Sequence, residues 1–98
     1  MINRFKKKLR LSGLEDVLQQ DLQIPRSTSA WLARLGYDLA KQNGQDLLGT
    51  APDVMTDRVF WLLERAGYSD LLDDLAANHY MANAELQRYR SSRNQQAA

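Results

Sequence analysis

Acidic side chains are the residues of this sequence best suited to chemistry, because carboxylates act as general acids or bases and bind hard metal ions. The densest group is Asp70, Asp73 and Asp74, and adjacent pairs such as Glu15 and Asp16 also occur. The three aspartates lack the spacing and the glycine of an EF-hand loop. The pair lies near a predicted helix start, where negative charge is stabilising. We therefore interpret these carboxylates as surface and helix-start residues and expect neither a metal site nor a catalytic pair.

The remaining residue types exclude several other chemistries. The 98 residues contain no cysteine and a single histidine, His79, so thiolate chemistry, disulfides and cysteine-based zinc sites are excluded. The five glycines are scattered, and none belongs to a phosphate-binding loop. We accordingly expect no bound cofactor and no enzymatic activity.

Charge is distributed unevenly along the chain, although the net charge is only +1. Residues 11–86 contain twelve acidic and five basic side chains, and residues 87–98 add three arginines. An acidic body between two basic ends suggests a role in surface recognition. The basic candidate surface at the N-terminus consists of five side chains: Arg4, Lys6, Lys7, Lys8 and Arg10. The acidic candidate surface is the aspartate group of residues 70–74.

A basic N-terminal segment can also bind phosphates, since Lys and Arg clusters do so whatever the base sequence. A small nucleic-acid-associated regulator that uses residues 4–10 with Arg88, Arg90 and Arg93 is therefore an alternative. The acidic body argues against it, because it would repel a polyanion. No apolar run approaches the ~20 residues that span a bilayer. A fold without cysteine suits a reducing cytoplasm, so we expect a cytoplasmic protein.

Helical signals dominate the chain, and alternating strand patterns are nearly absent. Apolar residues at helical spacing predict about six short helices. The first spans about 2–10 and the fourth about 52–66, and the others carry the apolar residues from Leu14 to Leu22, Trp31 to Ala40, Leu71 to Leu75 and Leu86 to Tyr89. A single turn is expected over 45–49. The predicted helix starts are a capping box from Ser12 to Glu15, and cap residues at Ser27 to Ser29, Ser69 and Asn83. The predicted helix ends are Pro25, Asn43–Gly44, Gly67 and Asn78–His79.

The helix over 52–66 is predicted to be central, because its apolar positions form the widest stripe. Aromatic residues at helical spacing are typical of a core, so Trp31 and Phe60 are expected to be buried. Phe60 and Trp61 point about 100° apart on a helix and cannot both face one neighbour. Trp61 is therefore the candidate exposed aromatic residue. We predict an all-α fold, a compact antiparallel bundle of residues 1–90, followed by a polar flexible tail over 91–98.

Two segments resemble the closing helices of the death-fold superfamily. In residues 58–75, a helix rich in aromatic and aliphatic residues ends in a charged pair and a glycine, and a short Leu-Leu helix follows at once. Residues 78–86 resemble the polar turn and closing helix that come next. The similarity is to bacterial death-like, effector-associated and caspase-recruitment-like domains.

This resemblance implies a six-helix bundle without an active site, which binds copies of its own kind and recruits an effector in bacterial defence or cell-death signalling. A basic surface and an acidic surface on one chain would allow head-to-tail contacts, which build rings or filaments. The implied partner is a protein, either another copy or a related helical domain. An antitoxin-like or docking protein that binds one enzyme partner is a further alternative.

Overall fold

The computed structural model describes residues 10–97, and the side chains within this range up to residue 93. This part of the chain contains five α-helices and no strand. A short 3-10 turn, Leu47–Gly49, separates the second helix from the third. The helices are α1 (Leu11–Leu22), α2 (Arg26–Gln42), α3 (Pro52–Arg65), α4 (Ser69–Asn78) and α5 (Tyr80–Ala97). They correspond in order to five of the six predicted helices, and the predicted helix over 2–10 lies outside the described residues.

The predicted helix stops are confirmed at both glycines. Gly44 and Gly67 have left-handed φ angles of 69° and 93°, which only glycine adopts without steric cost. After α3, the backbone N–H of Tyr68 donates to the carbonyl of Leu63 at 2.8 Å, and Gly67 donates to Glu64 at 3.1 Å. These two bonds form a Schellman motif, which satisfies the last carbonyls of the helix. The chain therefore turns sharply between α3 and α4.

The predicted capping box at Ser12 and Glu15 is wrong, because α1 begins earlier. The carbonyl of Arg10 accepts from the backbone N–H groups of Gly13 and Leu14, so Arg10 occupies the N-cap position and Ser12 lies in the first turn. The Glu15 carboxylate instead accepts from Arg26 of α2 at 3.1 Å. The Glu15 side chain therefore forms a tertiary ion pair instead of the predicted capping box.

Three other predicted cap residues lie inside their helices, because each helix begins at or before the predicted cap. None of Ser29, Ser69 and Asn83 caps its helix, because α2, α4 and α5 begin at Arg26, Ser69 and Tyr80. The Ser29 hydroxyl donates to the carbonyl of Arg26 at 2.9 Å within the first turn of α2. In each case the helix already uses the backbone carbonyl of the residue that precedes it.

α3 is the central helix, as predicted. It packs against α1, α2, α4 and α5. The described core is one cluster of buried side chains drawn from all five helices and the 3-10 turn. Its largest fully buried members are Phe60, Leu14, Leu18, Leu22, Leu32, Leu47, Met55, Leu62, Leu63, Leu72, Leu86 and Val59. Burial of each such side chain stabilises the fold by roughly 1.5–3 kcal/mol before conformational entropy is subtracted.

The two aromatic residues predicted for the core differ. Phe60 is 1% exposed and packs against Tyr89, with ring centroids 5.6 Å apart, so this prediction is confirmed. Trp31 is 51% exposed, and its predicted burial is wrong. The neighbouring Leu32 and Ala33 of α2 occupy the inward positions, and the Trp31 side chain is turned toward solvent.

The last helix extends beyond its predicted end. The backbone is helical from Tyr80 to Ala97, so residues 91–97, predicted as a tail, continue α5. Among residues 80–93 of α5, the buried side chains are Ala82, Leu86 and Tyr89, all in the first three turns. Between residues 10 and 97, no helix combines the length and the apolar character needed to cross a bilayer.

Gly36 allows α2 to approach α3 closely. A Cβ atom at this position would lie 3.3 Å from Cγ2 of Val59 and 3.6 Å from Cδ2 of Leu47. Contacts of this kind leave no room for a longer side chain in a close-packed interior.

We predict that Gly36→Leu lowers the free energy of unfolding by about 2–3 kcal/mol, because an overpacked core must shift backbone or side chains. Thermal and urea unfolding followed by circular dichroism would measure the loss. Arg34→Leu places the same side chain on the exposed side of α2 and should change the stability by less than about 0.5 kcal/mol. Equal effects of the two substitutions would contradict close packing at Gly36.

Candidate interaction surface

The structure describes only part of the predicted basic surface. Arg4, Lys6, Lys7 and Lys8 lie outside the described residues. Arg10 is exposed at the start of α1, where its backbone carbonyl accepts the first helical hydrogen bonds. The role predicted for this segment stays a prediction.

The predicted acidic surface divides into two kinds of residue. Asp73 forms an ion pair with Arg90 of α5, with Oδ1 and Nη1 2.7 Å apart. Asp70, in the first turn of α4, and Asp74, one turn later, are both exposed. Neither carboxylate has an ion-pair partner among the described residues. One helix therefore carries two carboxylates available to a partner and one that belongs to the fold.

A second charged surface runs along the outer face of α3. Val54, Arg58, Trp61 and Arg65 follow one another at spacings of four, three and four residues, which places them on one side of a helix. Val54 and the two arginines are exposed, and Trp61 is partly buried against the core. We call these four residues the arginine–tryptophan surface.

Trp61 forms the centre of the arginine–tryptophan surface. The guanidinium carbon of Arg58 lies 5.8 Å from the centroid of the Trp61 ring, and that of Arg65 lies 5.1 Å from it. Both distances are within the range of cation–π attraction, which is worth about 0.5–1 kcal/mol at exposed sites. The indole thus holds two positive charges close together. Trp61, predicted to be exposed, has part of its surface in the core and part in this cluster.

Arg58 and Arg65 have no carboxylate partner among the described residues. The guanidinium group of Arg58 donates a long hydrogen bond of 3.4 Å to Oε1 of Gln45, and Arg65 contacts the Trp61 ring. Two guanidinium groups on one indole therefore keep most of their hydrogen-bond donors free. Arginine presents five donors in a planar fork suited to a carboxylate or a phosphate.

The arginines of α5 show the opposite behaviour. Arg88 binds Asp57 at 2.7 Å and Glu85 at 3.1 Å, and Arg90 binds Glu64 at 3.0 Å. Arg93 also pairs with Glu64. The hydrogen bond that Arg88 donates to Asp57 raises the pKa of Arg88, and the hydrogen bond that Arg90 donates to Asp73 raises the pKa of Arg90. These three arginines hold α5 against α3 and α4, so they are not free for a polyanion.

A groove of about 410 Å³ lies between α3 and α5, and Val54, Arg58 and Trp61 of the arginine–tryptophan surface line one side of it. Trp61 and Tyr89 supply its aromatic surface, and Arg58 and Ser92 supply donors. Asp57 and Arg93 also line it, paired with Arg88 and Glu64. The groove is open to solvent, and one side of the Trp61 side chain forms part of it. An apolar or aromatic side chain of a partner could enter it while its charged neighbours meet the arginines.

Tyr89 is the buried polar residue of this groove. Its side chain is 8% exposed, and its hydroxyl has no hydrogen-bond partner among the described residues. Burial raises the pKa of Tyr89, and the nearby Glu64 carboxylate raises it further, while Arg93 acts in the opposite direction. A neutral phenol is therefore favoured in the folded protein.

The single histidine and the acidic residues form no metal site in the part of the chain that the structure describes. His79 is partly buried at the break between α4 and α5, where its backbone is extended. No group of three or more His, Asp or Glu side chains in residues 10–93 is arranged to hold a metal ion.

Sequence reasoning did not single out Arg58 and Arg65. Their spacing to Trp61, three residues before it and four after it, is visible in the sequence and places all three on one helix face. What the spacing could not show is which of the chain's arginines meet carboxylates elsewhere in the fold. From the sequence alone, a surface role was as plausible for Arg88, Arg90 and Arg93 as for Arg58 and Arg65.

We predict that Glu64→Ala lowers the free energy of unfolding by about 2 kcal/mol, because Glu64 is 12% exposed and two arginines would lose their shared partner. Denaturant unfolding monitored by circular dichroism would measure this. Glu85→Ala is the matched control: Arg88 keeps Asp57, so the loss should stay below about 0.5 kcal/mol. A Glu64 effect no larger than that of Glu85 would contradict the role assigned to Glu64.

We predict that Tyr89→Phe leaves stability at neutral pH unchanged or slightly higher, because it removes a buried hydroxyl that has no partner and keeps the ring. Because the pKa of Tyr89 is raised in the folded state, the unfolded chain loses this proton first, and the stability of the wild-type protein falls as pH rises above the unfolded pKa of about 10. The variant should therefore unfold at higher pH than the wild-type protein. Unfolding followed by circular dichroism from neutral to alkaline pH would show this shift, and Tyr80→Phe, on the most exposed tyrosine, is the control. Clear destabilisation by Tyr89→Phe at neutral pH would show that the hydroxyl has a partner.

Comparisons with known proteins identify no family for the chain. No protein-family model matches it, and neither a curated protein nor a solved structure gives a match. The similarity of residues 58–86 to death-fold domains therefore stays a prediction from the sequence. The function has to be argued from the charges, the groove and the exposed aromatic surface of this chain.

Proposed function

We propose that this chain is a non-enzymatic protein–protein interaction domain, an adaptor whose described contact site is the arginine–tryptophan surface. The observation that carries the proposal is the placement of two guanidinium groups on one indole, with no carboxylate of the described chain to neutralise them. Tryptophan and arginine are the residue types most enriched among the energetically dominant positions of protein interfaces.

The chemistry of this surface defines the kind of partner that it fits. Carboxylates of the partner would accept hydrogen bonds from Arg58 and Arg65, and an apolar or aromatic side chain would enter the groove beside Trp61. Half-buried charged hydrogen bonds of this type are stronger than fully exposed ion pairs, since they lose part of their water. The groove is open to solvent, which suits a partner's surface side chains.

The wider role that we propose follows from the resemblance of residues 58–86 to death-fold domains. In that role the domain recruits an effector in bacterial defence or cell-death signalling, in the cytoplasm. An all-helical chain with one core and charged outer faces is compatible with it. The antitoxin-like alternative would use the same surface for one enzyme partner.

The nucleic-acid alternative is weakened by the contacts of α5. Arg88, Arg90 and Arg93 were expected to serve it, and all three pair with carboxylates of the fold. The N-terminal segment and the unpaired Arg58 and Arg65 would remain for a polyanion, beside a body rich in acidic residues.

Photo-cross-linking in cells would test the proposal. A benzophenone amino acid at Ser92, which lines the groove, should cross-link to a discrete protein, whereas the same amino acid at Ser27 of α2 should not. The cross-linked protein would then be purified, and its affinity measured by isothermal titration calorimetry. Arg58→Ala/Arg65→Ala should weaken binding at least about tenfold, as expected for contact residues of an interface.

Arg34→Ala/Lys41→Ala is the matched control, since it removes the same charge from the exposed face of α2. It should leave the affinity within about twofold, because these side chains lie away from the groove. Unchanged affinity of the Arg58→Ala/Arg65→Ala variant, with normal thermal stability, would overturn the assignment of this surface.

A further inference from the structure

The outer row of α3 has the residue spacing of a coiled-coil seam. The contact residues of a coiled-coil helix follow one another at alternating intervals of three and four residues. Val54, Arg58, Trp61 and Arg65 have this spacing. Val54 and Trp61 occupy one contact position of the seven-residue repeat, and Arg58 and Arg65 occupy the other. The row therefore alternates an apolar side chain with a cation.

The residues that flank this row are already used by the fold. On one flank, Met55 and Leu62 are buried in the core. On the other flank, Asp57 and Glu64 pair with arginines of α5. The row thus runs between the core and α5, and its arginines have no ion-pair partner within residues 10–93.

Trp61 separates two depressions along this row. The groove of about 410 Å³ between α3 and α5 is lined by Arg58, and a second depression of about 230 Å³ is lined by Trp61, Glu64, Arg65 and Arg93. Arg58 and Arg65 are seven residues apart, which corresponds to about 10.5 Å along the helix axis. An occupant that pairs with both arginines therefore carries two anionic groups at about this separation, one on each side of the indole.

We infer that the occupant is an α-helix of the partner, packed alongside α3, with two carboxylates seven residues apart over Arg58 and Arg65 and an apolar side chain against Trp61. Residues seven apart on a helix share one face and are about 10.5 Å apart along its axis, which matches the arginines. In an extended segment, side chains on one face recur about every 6.7 Å, and neither one nor two such steps match. The inference rests on the proposed function and adds the secondary structure and charge pattern of the partner.

The carboxylates that border the row favour two separate acidic side chains over a polyanion. Asp57 lines the groove of Arg58, and Glu64 lines the depression of Arg65. A nucleic-acid strand has a phosphate at every nucleotide and would bring additional negative charges against them. A helix brings only two carboxylates, and its intervening contact residues are apolar. Helix-in-groove recognition uses anchor residues at this spacing.

Tryptophan fluorescence of the full chain with synthetic peptides would test this. Trp31→Phe leaves Trp61 as the single tryptophan, since the chain has two. The probe is a helical peptide of about 20 residues without aromatic side chains, with two glutamates seven residues apart and leucines between them. It should change the Trp61 emission in a saturable way, and binding should weaken as ionic strength rises from about 0.1 M to about 1 M. A peptide of the same composition, with both glutamates moved by two positions to the opposite helix face, should bind about tenfold more weakly.

A third peptide and two chain variants complete the test. A proline in the middle of the probe, at a position that faces away from α3, keeps every contact side chain but breaks the helix, so binding should weaken at least about tenfold. In the Trp31→Phe chain, Arg58→Ala/Arg65→Ala should weaken binding of the probe about tenfold. The control Arg34→Ala/Lys41→Ala removes the same charge from α2 and should leave the affinity within about twofold.

Equal affinities for the two glutamate peptides would overturn the inferred charge spacing, and an undiminished affinity for the proline peptide would overturn the helix. Lack of saturable binding at millimolar probe would overturn both. A single-stranded oligonucleotide that binds through Arg58 and Arg65 more tightly than the probe would overturn the inference in favour of the nucleic-acid alternative. The proposed function is judged separately. A cross-linked cellular partner that requires both arginines, while no peptide binds, would support the interaction domain and reject the helical occupant.

Discussion

The burial of one side of α3 is the constraint on which the rest of the structure depends. Met55, Val59, Phe60 and Leu63 of this helix meet α1, α2 and α5, and the close approach at Gly36 brings α2 against Val59. Asp57 and Glu64 pair with arginines of α5, so the burial of the remaining sides leaves one direction of α3 open to solvent. That direction presents residues 54, 58, 61 and 65 to solvent as a single row. The outward surface of α3 is therefore a consequence of core packing.

Polar pairing then decides which charges of the fold remain available. α5 buries few apolar side chains, and arginine–carboxylate pairs to α3 and α4 complete its attachment. Glu64 is an example of such a pairing, since its little-exposed carboxylate accepts hydrogen bonds from both Arg90 and Arg93. Once these pairs are made, Arg58 and Arg65 are left with an indole, and Asp70 and Asp74 are left with solvent. A partner with the complementary groups would replace that solvent.

The local signals of the sequence predicted the helices better than their first residues. Apolar spacing placed all five described helices, and glycine at positions 44 and 67 marked two of their ends, because a left-handed φ is a property of single residues. The predicted caps failed at Ser12, Ser29, Ser69 and Asn83. A cap competes with any tertiary partner of similar strength, and Arg26 takes Glu15 away from the capping box. That competitor stands on the next helix, eleven residues away, whereas at Ser29, Ser69 and Asn83 the backbone carbonyl of the residue before the helix is already the first acceptor.

The sequence by itself determined the helical fold, the central place of α3 and the absence of thiol chemistry, because periodicity and composition are local properties. The tertiary structure decided which charged and aromatic residues are available to a partner. Trp31 turned outward although its spacing suggested a core, and Trp61 took a position between core and surface. Arg88, Arg90 and Arg93 entered ion pairs, while Arg58 and Arg65 did not. The sequence does not show which charged residues form ion pairs, because a pair between helices forms only where packing brings the two side chains close together.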